Sequence, residues 1–178
     1  LLDITRQSDF VTVSWSHFRD HEKTSLVGGG DRATADEGRL RVTYHHNHWD
    51  GVKERAPRVR YGRVHLYNNL HTVADEARHG YSVGVGLQSR IVLHNNVWVG
   101  PATLPATRLL RWWGGTALQD SGSLLNGQAV DLLATLRAAN PGRPLHADVG
   151  WQPVLVERLD AAADVADQVL RGAGAKSR

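Results

Sequence analysis

Four short stretches share one pattern: Val13-Ser14-Trp15-Ser16-His17-Phe18, Tyr44-His45-His46-Asn47-His48-Trp49, Leu66-Tyr67-Asn68-Asn69-Leu70-His71 and Leu93-His94-Asn95-Asn96-Val97-Trp98. Each is a short alternating apolar run with a polar turn built on Asn or Ser. The equivalent turn residues Ser16, Asn47, Asn69 and Asn96 lie 31, 22 and 27 residues apart. A period in the twenties with variable insertions marks a solenoid, in which one coil cannot bury its own apolar face and must stack on the next. Val, Leu, Tyr and Trp dominate and helical periodicity is scarce before residue 100, so the coils are built of strands. Asn recurring at one turn predicts a ladder of side-chain amides bonded from coil to coil. The competing reading is a β-sandwich with unrelated Asn turns.

Beyond Val99-Gly100-Pro101 the texture changes. Residues 101–128 are rich in Gly, Ser and Thr, carry Trp112-Trp113, and read as a long irregular return. Val130, Leu133 and Leu136 stand at helical spacing between Ala129 and Ala139, before the breaker Asn140-Pro141-Gly142. A second helix is predicted from about Ala161 to Arg171, with Asp160 as N-cap, Val165, Val169 and Leu170 as its stripe, and Gly172 as its stop. The expected division is therefore coils over 1–100 and a return with a helical tail over 101–178, packed along the solenoid or over an end. The chain opens Leu1-Leu2-Asp3 and contains no methionine, so it is expected to be part of a longer protein whose N-terminal coils are missing.

The 178 residues are 41% hydrophobic and 22% charged, which argues for a globular chain with a real core. No apolar run approaches the roughly 18–20 residues that cross a bilayer, so no membrane partner is expected. There is no cysteine, which excludes disulfides, thiolate metal sites and a cysteine nucleophile. The formal charge is only +3, but from Arg39 to His65 seven cations face two acids. Arginine accounts for 18 of the 21 basic residues, and its planar fork suits carboxylate or phosphate.

The densest segment is Lys53-Glu54-Arg55-Ala56-Pro57-Arg58-Val59-Arg60-Tyr61-Gly62. Pro57 disfavours helix at Ala56, so Arg55 leads into an extended stretch where Arg58 and Arg60 share a face. Stacked coils about 4.8 Å apart would bring Lys23, one coil earlier, beside Arg55. Several cations on one face with no acid between them are costly unless an anion comes to them.

These residues carry a resemblance. The chain is similar to the pectate lyases of polysaccharide lyase family 1 at Asp9-Phe10-Val11-Thr12-Val13-Ser14-Trp15, His21-Glu22-Lys23, Val42-Thr43-Tyr44-His45-His46-Asn47, Arg55-Ala56-Pro57-Arg58-Val59-Arg60-Tyr61-Gly62 and Val64-His65-Leu66-Tyr67-Asn68-Asn69. The resemblance implies a right-handed parallel β-helix that cleaves polygalacturonate by β-elimination with Ca²⁺ as cofactor. It implies Arg55 as the base for the C5 proton, Lys23 and Arg60 as holders of substrate carboxylates with Arg58 beside them, and Asp3 as one calcium ligand. Further calcium aspartates belong upstream of Leu1. An arginine base needs neighbours that disfavour its charged form. The resemblance also implies a secreted protein, monomeric at full length.

Rival readings start from other residues. His46-Asn47-His48 spells a nuclease motif, but neighbours on a strand point to opposite faces and no helix pattern supports it, so the histidines are expected to flank the ladder turn. Asp20, His21, His17 and Asp50 are read as structural or solvated. Trp112 and Trp113 are expected in a packed loop. No nucleic-acid-binding module appears. A non-catalytic β-helix that binds acidic polysaccharide would need Lys23 and Arg60 but not Arg55. Pectin lyase, which acts on methylated polymer without calcium, lacks a use for Lys23 and Asp3.

Overall fold

The computed structural model describes residues 1–156 and 158–175. Its strands stack into a parallel β-helix of five coils, each coil giving one strand to each of three sheets. Sheet one runs β1 (Leu2–Ile4), β4 (Ser25–Val27), β7 (Arg58–Val59), β10 (Val83–Gly86) and β13 (Leu110–Trp113). Sheet two runs β2 (Val11–Ser14), β5 (Arg41–His45), β8 (Arg63–Tyr67), β11 (Arg90–His94) and β14 (Ala117–Ser121). Sheet three runs β3 (His17–Arg19), β6 (His48–Asp50), β9 (Leu70–Thr72), β12 (Val97–Val99) and β15 (Leu124–Leu125), with β16 (Gln128–Ala129) antiparallel on β15.

The predicted ladder is present and buried. Asn47 Nδ2 donates to Asn69 Oδ1 and Asn69 Nδ2 to Asn96 Oδ1, each at 3.0 Å. Each Oδ1 also accepts a backbone N–H from the preceding coil: Asn47 from Ser16, Asn69 from Asn47, and Asn96 from Asn69. The chain turns into this position through a left-handed residue in every coil: Trp15, His46, Asn68 and Asn95. Inside the helix the aromatic rings of Phe18, Trp49, His71 and Trp98 stack one per coil, while Val42, Val64, Ile91 and Leu118 fill sheet two's inner face.

The irregular return expected over 101–128 does not hold, because β13, β14 and β15 form a fifth coil within it. Its turn uses Gly122 at φ 72° in place of an Asn-Asn pair, and a side chain there would collide with Asn95. Two helices follow, as the sequence predicts, with shifted starts. The first, α1 (Leu132–Ala139), is capped by Asp131, whose side chain accepts from Ala134 N–H, and it packs on β13 and β14 over the end of the core. The second, α2 (Ala162–Gly172), lies along sheet three with Val165 and Val169 against Leu70 and Val97. Asp160 is not its N-cap. That carboxylate instead sits 2.9 Å from His46 Nε2, while its carbonyl accepts from both Asn68 and Asn95 side chains at 2.8 Å.

Candidate active site

The positive cluster of the sequence divides between two faces. Arg41, Arg63 and Arg90 stack in register on sheet two, where Asp9 pairs with Arg41 and the Val149 carbonyl accepts from Arg90. Arg55, Arg58 and Arg60 lie on and beside sheet one. Register there sets Asp3, Leu26, Arg58, Gly84 and Arg111 in one row across the coils. Asp3 and Arg111 are exposed, and Arg58 is half-buried.

The arginine segment is held from both sides. Ser25 N–H donates to the Arg55 carbonyl at 2.8 Å, Arg60 N–H to the Val27 carbonyl at 2.8 Å, and Ala56 N–H to the Ser82 carbonyl at 2.7 Å. Arg55 itself has φ 64°, a conformation uncommon outside glycine and found where surrounding structure imposes it. Lys23 bridges Glu54 in register, one residue short of the expected partner Arg55, and is exposed. Among the described residues it makes no ion pair.

Space for two of the arginines comes from missing side chains. A Cβ on Gly84 would stand 2.8 Å from Arg58 Cγ, and one on Gly86 3.3 Å from Arg60 Cγ. The Arg58 guanidinium passes over the Trp113 ring at 4.3 Å, so Trp113 serves the arginine face and is not part of a loop. Burial, then repulsion from Arg60 and Arg55, pulls the Arg58 pKa below its ordinary value. Burial pushes Tyr81 up, with Glu54 adding to it and Arg58 and Arg55 opposing it.

One acid does lie within the cluster, against expectation: Asp31 pairs with Arg60 Nε. The buried Nε atoms of Arg55 and Arg58, by contrast, have no hydrogen-bond partner among the described residues. Buried donors are rarely left unpaired without a reason. A face with two such donors, an exposed lysine and a stacked tryptophan is suited to a carboxylate-bearing ligand.

Asp31, Tyr81, Gly84 and Gly86 escaped the sequence reading, and Trp113 was assigned to a loop instead of this face. The alternation Val83-Gly84-Val85-Gly86 was the available signal, since it removes side chains from alternate positions of one strand face. For the histidine turn the ladder reading holds. His45 and His46 contact each other through their Nδ1 atoms at 2.9 Å, and His46 continues to Asp160.

Comparison with known proteins follows the same lines. The family model described as pectate lyase matches residues 1–146. The chain is 38% identical over 176 residues to a pectate lyase of Bacillus subtilis, covering 97% of this chain and 40% of that protein. It is 37% identical to pectate lyase E of Dickeya chrysanthemi, covering 80% of this chain and 40% of that one. A solved pectate lyase bound to a hexasaccharide superposes with TM-score 0.87 at 37% identity, covering 97% of this chain and 42% of the other. The chain thus spans about 40% of the length of the curated relatives it matches. With the ladder, the five coils and the arginine face all in place, it belongs to the pectate lyase family.

Proposed function

We propose that this chain carries the proton-abstracting and carboxylate-holding half of a secreted, calcium-assisted pectate lyase site acting on polygalacturonate. The observation that carries the proposal is the arginine face: Arg55 and Arg58, whose buried Nε atoms have no hydrogen-bond partner among the described residues, beside a strand cleared by Gly84 and Gly86. In this reading Lys23, Arg58 and Arg60 hold the uronate carboxylates. A proton on the carbon next to a carboxylate is weakly acidic, and fixed cations around that carboxylate stabilise the charge that develops as it leaves. Arg55, reacting as the neutral guanidine, would take the C5 proton and become the guanidinium. The C5–H electron pair becomes the C4–C5 double bond as the C4–O bond breaks, and the glycosidic oxygen departs with that bond's electrons. No second carboxylate is needed, in contrast to hydrolytic glycosidases.

Asp3 would hold Ca²⁺ through its hard carboxylate oxygens, on the same row as Arg58. It completes no three-ligand group with any histidine or acid among the described residues, and calcium takes about six to eight oxygens, so Asp3 fits as one member of a larger shell. Bound calcium would neutralise a substrate carboxylate.

The test is ultraviolet absorbance of the unsaturated uronate formed from polygalacturonate. In a full-length protein carrying this chain it should rise with calcium, fail with a chelator, and fall by at least about a thousandfold in Arg55→Ala, the scale of losing a positioned base. Binding of polygalacturonate with no absorbance change from any form of the protein would instead leave a polysaccharide-binding module.

A further inference from the structure

We propose that His17, His48 and Asp50 form a binding site for a borderline divalent cation such as Zn²⁺ on the outer face of sheet three. This stands apart from the lyase reading and uses none of its residues. Parallel pairing sets His17 opposite His48 and Arg19 opposite Asp50 on successive coils. Strand alternation sends Phe18 and Trp49 inward and leaves these side chains outward. The two imidazoles stack at 4.5 Å with 11° between their planes. His17 Nε2 lies 3.1 Å from Asp50 Oδ2, and one ligand atom from each of the three residues falls within 4.8 Å of the others.

The donor set decides the class of metal. Two imidazole nitrogens and one carboxylate suit zinc and its transition-metal neighbours, whereas calcium prefers a shell of oxygens. Metal–ligand bonds of about 2.0–2.2 Å need ligand atoms about 3.3–3.5 Å apart, so the His17–Asp50 edge is close to what an ion needs, and the two imidazoles must turn out of their parallel stack for both ring nitrogens to face it. A supporting contact is also present. Thr72, one coil further, donates from Oγ1 to Asp50 Oδ1 at 2.8 Å, which fixes that carboxylate and leaves Oδ2 for the metal. The same Oγ1 accepts from His48 Nε2 at 3.0 Å. Ligation by that nitrogen exchanges this hydrogen bond for a coordinate bond and shifts the ring proton to Nδ1. His17 and Asp50 side chains are 28% and 41% exposed, so the cation has a path in and a position left for water.

Zn²⁺ titration by calorimetry in excess Ca²⁺ tests the site, because the calcium blocks oxygen-only sites. The expected result is one saturable equivalent of Zn²⁺. His17→Ala and Asp50→Asn should each weaken it at least about tenfold, and Thr72→Val by about tenfold, the effect of losing a supporting contact. Arg19→Ala, on the same face, should bind as the parent does. His17 and Arg19 are exposed, and circular dichroism of the variants confirms that they fold. Absence of a saturable equivalent would overturn the proposal. So would uptake that survives both His17→Ala and Asp50→Asn unchanged. Neither outcome bears on lyase activity, which is read separately with polygalacturonate.

Discussion

Asp31, on the glycine turn of the second coil, forms an ion pair with Arg60 on the third, and its backbone carbonyl accepts the Tyr61 hydroxyl at 2.5 Å. In the proposed lyase Arg60 would therefore meet a substrate already ion-paired, whereas Arg55 and Arg58 form no ion pair among the described residues. A uronate carboxylate that reaches Arg60 must displace Asp31, which is 64% exposed. Asp31→Asn should lower KM for polygalacturonate by up to about fivefold, the scale of an exposed pair worth about 0.2–1 kcal/mol. The turnover number should stay unchanged. A raised KM would show that Asp31 aims Arg60 instead of competing for it.

The cleared space beside the arginines can be refilled one carbon at a time. Gly86→Ala places a Cβ 2.4 Å from the Val59 carbonyl oxygen, so backbone must move and stability should fall by roughly 1–3 kcal/mol. Gly84→Ala meets the stem of Arg58 instead, at 2.8 Å. That variant should keep most of its stability yet lose substrate affinity, and denaturant midpoints beside KM values separate the two effects. Equal loss of stability in both would mean that Gly84 serves packing only.

Removing one rung tests the ladder. Asn69 is fully buried, donates to the Tyr44 and Tyr67 carbonyls and to Asn96, and accepts from Asn47 N–H and Nδ2. Asn69→Ala orphans several of these groups at about 1–3 kcal/mol each, so a loss of roughly 3 kcal/mol or more is expected in chemical denaturation. A loss below about 1 kcal/mol would show that the rungs contribute little singly.

His65 gives the fold a definite acid response. Burial, reinforced by His94 and His45, lowers its pKa to about 3, against about 6.5 for an unfolded histidine. The unfolded chain takes up a proton that the folded chain refuses. This contribution is complete above pH 6.5 and is lost as pH falls toward 3. Between pH 7 and 5 the parent should lose on the order of 1–2 kcal/mol through this group, and His65→Asn should show a flatter pH dependence of its urea midpoint. The comparison uses the slope, because the substitution also changes packing against Tyr67. An unchanged slope would assign the acid response to other buried histidines, such as His71.

Much of the architecture was legible because the ladder writes itself into the sequence. Asn47, Asn69 and Asn96 must each bond the coil above and below, so the same residue recurs wherever the backbone makes that turn. The fifth coil hid because Gly122-Ser123 replaces the Asn pair: Ser123 Oγ turns to Asp120 instead of continuing the rungs. The arginines of the site were visible as types in a pattern, but their neighbours were not. Asp31, Gly84 and Trp113 come to them through coil register, over separations of about 26 to 55 residues that no local pattern encodes. Asp160 was misread for the same reason. Its partner His46 is 114 residues away, whereas the local rule for a helix start needs only its neighbours.

The antiparallel β16 also bears on how such a molecule can acquire length. It occupies, on β15, the side that another parallel strand of sheet three would need. Duplicating a repeat and appending it after the fifth coil would therefore evict this hairpin and lift α1 from the core it covers. A new coil is admitted more readily between existing ones, where both neighbours are strands of its own kind. Such an insert would have to bring its own asparagine and a left-handed residue before it. The two spacings of 22 and 27 residues between ladder rungs show how much slack each coil's loops already carry.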